Sequence, residues 1–177
     1  TFGKGMANGF PLSAVVGRRD IMIEMEEIFF SGTFGGELLS LAAAKSVLER
    51  HLMGGICERL SESGEKLANQ STLAIHENNI EDILTLSGHP TWKFLNWRAT
   101  EKYSADEIRT YFMQLAFEKG LLILSSHNIT TAFSDAVVTR AAAIYAEIFS
   151  EISRSISNNT LQIQLKVLPL KPLFRVR

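Results

Sequence analysis

The 177-residue chain has one cysteine, Cys57, and four prolines. A single thiol forms no internal disulfide, and no Cys/His cluster lies around it, so the sequence predicts neither a disulfide scaffold nor a metal site. Such sparse thiol usage suits a reducing, cytoplasmic setting. No apolar run approaches the ~20 residues that a membrane-spanning helix needs, so no membrane partner is expected. The opening Thr1-Phe2-Gly3-Lys4-Gly5 has the features of neither a signal peptide nor a transit peptide. A charge excess is also lacking. Lys and Arg total 18 against 19 Asp and Glu, a formal net charge of −1, and nothing there points to nucleic acid. Internal repeats and low-complexity tracts are absent. What is present is ordinary for a globular chain, 46% hydrophobic and 21% charged residues, enough for one domain or pieces of two.

Glycines gather before residue 65 and punctuate the first third. Gly3, Gly5, Asn8, Gly9 and Pro11 predict a loop over residues 1–12. Ala14-Val15-Val16 reads as a short buried strand, and Arg18-Arg19-Asp20 as the start of a short helix running to about Glu27. A second glycine-rich loop, Ser31-Gly32-Thr33-Phe34-Gly35-Gly36, leads into a helix with Leu38, Leu41, Ala42, Lys45, Leu48 and Leu52 on one face. Gly54-Gly55 separates it from another helix over 56–76. Strands are expected at 82–87 and 92–97 around Gly88-His89-Pro90. Ser104 and Glu107 form a capping-box pattern ahead of the face Ile108, Tyr111, Phe112 and Leu115, and Gly120 supplies a stop. Residues 121–124 read as a strand, and 128–133 as a short further one. A helix capped by Ser134 then carries the periodic face from Val137 to Ile152, and an extended tail is expected from Leu161 to Arg177. A lone strand such as 14–16 cannot bury itself. The expectation is therefore a fragment, with residues 1–35 torn from a larger α/β sheet and 36–177 forming connecting helices and a small α+β domain.

Two loops carry candidate chemistry. Lys4 stands among glycines, where a solvated turn lysine is the plain reading. A Walker A loop is excluded because Lys4 is followed by Gly5 instead of Ser or Thr, and no helix of the kind a dinucleotide fingerprint requires follows the glycines. In the second loop, amides at a helix start and the Thr33 hydroxyl suit a phosphate, although Thr and Gly are also ordinary helix caps. His51 and His76 read as surface residues and His89 as a turn residue; only His127 is a candidate for a site. Arg18 and Arg19 are open to a carboxylate or, more plainly, to solvent.

The whole run Phe2-Gly3-Lys4-Gly5-Met6-Ala7-Asn8-Gly9-Phe10-Pro11-Leu12-Ser13-Ala14-Val15-Val16-Gly17-Arg18-Arg19-Asp20-Ile21-Met22 resembles the segment that follows the cofactor strand in class III aminotransferases. Ser31-Gly32-Thr33-Phe34-Gly35-Gly36 resembles that family's second loop, except that Glu37-Leu38 stands where Asn-Pro is common. Ser125-Ser126-His127-Asn128-Ile129, Ser87-Gly88-His89-Pro90 and the ending Pro172-Leu173-Phe174-Arg175-Val176-Arg177 are similar to glutamate-1-semialdehyde 2,1-aminomutase and its polysaccharide-biosynthesis relatives. The resemblance implies an α/β fold of the pyridoxal-phosphate transferase type (aspartate aminotransferase-like), present in part as the end of the large domain and the small C-terminal domain. It implies pyridoxal 5'-phosphate as cofactor, held covalently by Lys4 and contacted through its phosphate by Gly32 and Thr33. It further implies amino-donor and carbonyl-acceptor substrates, and a homodimer whose subunits share the site.

The chemistry is consistent. A lysine that attacks an aldehyde must be deprotonated, which apolar walls such as Phe2, Met6 and Phe10 favour. Glycines beside it let the backbone approach a flat ring. Once released, the same amine moves a proton between carbons. Three functions stay open at this level: amino transfer between molecules, an aminomutase acting within one molecule, and a catalytically silent dimerisation or binding module.

Overall fold

The computed structural model describes residues 1–171; the ending Pro172–Arg177 lies outside the described residues. By its internal contacts the chain divides into two units, Thr1–Cys57 and a second beginning at Glu58.

The first unit is mostly loop. Phe2 and Ala14 pair as an isolated antiparallel bridge, with Phe2 N donating to Ala14 O at 2.7 Å and Ala14 N to Phe2 O at 2.9 Å. The expected strand at 14–16 is therefore reduced to one bridge residue. Its valines have no partner strand in the unit and stay exposed, Val15 at 43% and Val16 at 62%. A short helix α1 (Arg19–Met22) continues as a tighter turn over Ile23–Glu26, and α2 spans Leu38–Leu52.

The second unit holds the core. After α3 (Ile56–Glu77), β1 (Leu84–His89) and β2 (Trp92–Trp97) form an antiparallel hairpin in the register Leu84↔Trp97 to His89↔Trp92. Helix α4 (Ala105–Glu118) begins with the expected capping box. Glu107 N donates to Ser104 Oγ at 3.2 Å, and Ser104 N donates to Glu107 Oε2 at 2.8 Å. Gly120, at φ +77°, takes the left-handed conformation that ends it. Strand β3 (Ser126–Asn128) joins β2 antiparallel, giving the order β1-β2-β3. Helix α5 (Asp135–Ser157), capped by Ser134, buries Val138, Ala141, Tyr145, Ile148, Phe149 and Ile152 as its periodicity predicts, while Val137 stays 45% exposed. A single helical turn, α6 (Leu161–Gln164), sits within the segment expected to be extended. The third strand is displaced from the expected 121–124. Leu122 and Leu124 are exposed, and the chain reaches β2 only after Ser125, whose φ of +77° turns it into register. No helix among the described residues is long and apolar enough to cross a membrane.

Candidate active site

Lys4 opens a tight turn, Lys4–Met6, with a left-handed backbone at φ +45°. The Phe2–Ala14 bridge closes the surrounding loop, and Ala7 is its buried anchor. The turn packs on α2. Lys4, Gly5, Asn8, Gly9, Phe10 and Pro11 line an open hollow of about 570 Å³. The apolar enclosure expected from Phe2 and Phe10 is not formed by this unit: they are 59% and 48% exposed, and Lys4 itself is exposed.

The second loop differs from its expected role as a helix cap. The N-cap of α2 is Glu37, whose carboxylate accepts from Leu39 N at 2.9 Å and from Ser40 N at 2.6 Å. A carboxylate on those amides excludes a phosphate from the start of α2, both by occupancy and by charge. Gly32 and Thr33 precede this cap in a turn closed by Gly35 N donating to Gly32 O at 3.0 Å. Both are exposed, and among the described residues the Thr33 side chain makes no hydrogen bond. Its hydroxyl is thus not used in capping. Neither residue lines the hollow at Lys4; the link between the two loops is α2, which the first packs on and the second leads into.

The other candidates take their plainer roles. Arg18 pairs with Asp20, and the guanidinium holds that exposed carboxyl below its usual range. His76 pairs with Glu81 at 2.8 Å, and His89 Nδ1 lies 3.0 Å from Thr91 Oγ1 in the hairpin turn. Trp97 packs on Phe112, ring centroids 5.1 Å apart.

His127 is a core residue, 4% exposed, stacked on Tyr145 and sharing with its hydroxyl a 2.8 Å hydrogen bond from Nε2. Burial pushes its pKa down to about 4. In the unfolded chain the imidazole titrates near 6.5, so between pH 6.5 and 4 the unfolded state binds the extra proton. Stability is expected to be fully retained above about 6.5 and to fall progressively toward 4. Melting temperatures across that range should decline less in a His127→Leu variant than in the wild type. Parallel curves would mean that His127 is solvated.

The sequence did not mark a second cavity, in the second unit, where Trp97, Arg109 and Ser125 meet. These residues share no motif spacing, and only the β2–α4–β3 packing brings them together.

Comparison with known proteins agrees with the two-loop pattern. The family model for class-III aminotransferases matches residues 1–156. The chain is 29% identical over 162 residues to the 5-aminovalerate aminotransferase DavT of Pseudomonas aeruginosa, covering 86% of this chain and 38% of that protein. It is 37% identical over 70 residues to the glutamate-1-semialdehyde 2,1-aminomutase of Halorubrum lacusprofundi, covering 38% of this chain and 16% of that one. The structure of the PLP internal aldimine form of the FumI protein from Sphingopyxis sp. MTA144 superimposes with a TM-score of 0.74 at 22% identity, over 88% of this chain and 37% of that one. The chain thus spans less than two fifths of the length of each of these proteins. It belongs to the class III aminotransferases, a family that works with pyridoxal phosphate, and carries part of their fold.

Proposed function

We propose that this chain is the lysine-bearing C-terminal portion of a pyridoxal-phosphate-dependent enzyme that transfers an amino group from an amine donor to a carbonyl acceptor. Residues 1–35 would complete the large cofactor-binding domain, and 36–177 would supply connecting helices and the small domain. The observation that carries the reading is the Lys4 turn, presented at the mouth of a glycine-walled hollow within the span matched by the family model. The residues present fit the cofactor. Gly5 and Gly9 leave that hollow free of side chains on two sides, and Thr33 offers an unused hydroxyl on a glycine-rich turn. Pyridoxal phosphate, when bound, supplies the aldehyde and the electron sink. Lys4 Nζ would anchor it covalently and, when free, carry a proton to and from the reacting carbon. Gly32 and Thr33 would hold the phosphate. Because they do not line the Lys4 hollow, a homodimer in which each subunit's Thr33 loop serves the other's Lys4 accounts for both.

The wide match to DavT favours transfer between two molecules, including the amino-sugar and polysaccharide substrates of the aminomutase's relatives; the narrower match favours the aminomutase as the alternative. A 15N-labelled donor separates them in the full-length enzyme. Label appearing on a different carbon skeleton means intermolecular transfer, and label moved within one skeleton means a mutase. Label that stays in place leaves the silent binding module.

Two smaller results follow. Thr33→Ala in the full-length enzyme is expected to weaken pyridoxal phosphate binding about tenfold or more, as loss of a hydrogen bond to a charged group implies. The melting temperature of the cofactor-free protein should hold, because Glu37 and not Thr33 caps α2. A lower melting temperature at unchanged affinity would reverse the assignment. The 177-residue chain by itself is expected to aggregate and to show no transaminase activity. Phe29 at 95% and Phe30 at 69% exposure each forgo roughly 1.5–3 kcal/mol of burial. Turnover by a monodisperse preparation would contradict it.

A further inference from the structure

The cavity of about 450 Å³ between β2, the start of α4 and the segment before β3 gathers three buried polar atoms with no partner among the described residues: Trp97 Nε1, Arg109 Nε and Ser125 Oγ. Buried polar groups in native proteins are nearly always satisfied, so three orphans on one cavity need a common explanation. The indole and guanidinium nitrogens only donate, and the hydroxyl can donate as well. The missing partner is therefore an acceptor.

Charge and shape narrow the choice. Arg109 is already paired with Asp106 at 3.1 Å, and its Nη2 donates to Leu170 O at 2.8 Å. The Nε–H is what it has left to give. With Asp106 lining the same cavity, a doubly charged phosphate would meet a carboxylate, whereas a delocalised single negative charge meets a nearly neutral rim. Phe94 and Leu124 supply apolar wall on the open side, 38% and 74% exposed. Mostly apolar cavities of this size with a few convergent polar groups are typical of small-molecule sites. We propose that this cavity binds a small organic carboxylate with an apolar body, its oxygens on Trp97, Arg109 and Ser125 and its body against Phe94 and Leu124. The site lies wholly within the second unit and is independent of the Lys4 and Thr33 assignments.

Benzoate serves as the probe, on the full-length holoenzyme labelled with 5-fluorotryptophan and kept in a carboxylate-free buffer. The Trp97 resonance is assigned by its loss in Trp97→Phe. Benzoate is expected to shift it saturably while the Trp92 resonance stays in place, and benzyl alcohol, of the same shape without the charge, is expected not to. Ser125→Gly removes the hydroxyl at a backbone conformation that glycine adopts freely, so the fold should hold. Benzoate affinity read at Trp97 should then fall at least fivefold. No saturable shift, an equal response to benzyl alcohol, or unchanged affinity in Ser125→Gly would each overturn the proposal. The last outcome would also reveal a shift relayed from benzoate bound elsewhere.

Discussion

Replacing Lys4 by alanine in the full-length enzyme is expected to lower turnover by about a hundredfold to ten-thousandfold, the usual share of a positioned acid–base group, with loss of the covalent anchor adding to it. Lys4 sits at φ +45°, and alanine bears much the same backbone cost there, so the turn should survive the substitution. The Phe2–Ala14 bridge and the buried Ala7 that hold the loop are untouched. Pyridoxal phosphate should still bind through its phosphate contacts. Proton transfer should not survive, because the other residues lining the hollow (glycines, Asn8, Phe10, Pro11 and Leu12) carry no group that ionises near neutrality. A small primary amine added to the variant should restore part of the rate, since it can occupy the space and repeat the proton transfer. Borohydride reduction of the wild-type holoenzyme should fix the cofactor to the peptide that contains Lys4. Recovery of the cofactor on Lys45 or Lys66 would end the assignment. Lys45 is paired with Glu49 along α2, and Lys66 with Asp135.

How far the sequence reaches depends on whether a feature is local. The α4 capping box, the α5 face and the β1–β2 hairpin were legible because each rests on residues within a few positions of one another: Ser104 with Glu107, Tyr145 with Phe149, Trp92 with His89. The strand at 14–16 was misread because an apolar triplet implies burial only if a sheet is there to receive it. Glu37 was legible as a residue suited to a helix N-terminus, but its bonds to two amides of α2 were not, and they moved the cap away from Thr33. Strand β3 was placed too early because Leu121–Leu124 is the more apolar run, yet the sheet selects Ser126–Asn128, which the left-handed Ser125 brings alongside Trp92–Phe94. His127 could be singled out by type. That it lies under Tyr145 in the core depends on α5, which begins after it in the chain.

Gly64→Ala is expected to destabilise the second unit by roughly 2–3 kcal/mol, against the direction that helix propensity predicts. Gly64 lies inside α3, where alanine would ordinarily gain about 0.8–1 kcal/mol. Here a Cβ would stand 2.1 Å from the Pro90 carbonyl oxygen, 2.6 Å from its carbon and 3.3 Å from Ile129 Cγ1. The first two are backbone atoms, so no side-chain rotation relieves the overlap. The hairpin turn has little room to retreat. Ile129 N donates to Thr91 O at 3.0 Å on one side of Pro90. On the other, Gly88 holds φ +92° with its own missing Cβ only 2.5 Å from Trp92 O. Relief therefore requires α3 or the whole β1–β2 hairpin to shift, which puts the cost at or above the ~1–3 kcal/mol of ordinary overpacking and outweighs the propensity gain. In a domain of this size that lowers the melting temperature by about 10 °C. Asn69→Ala, at an exposed position of the same helix, isolates propensity and should raise stability by a few tenths of a kcal/mol. Equal gains from both substitutions would show that α3 does not lie against the Pro90 turn.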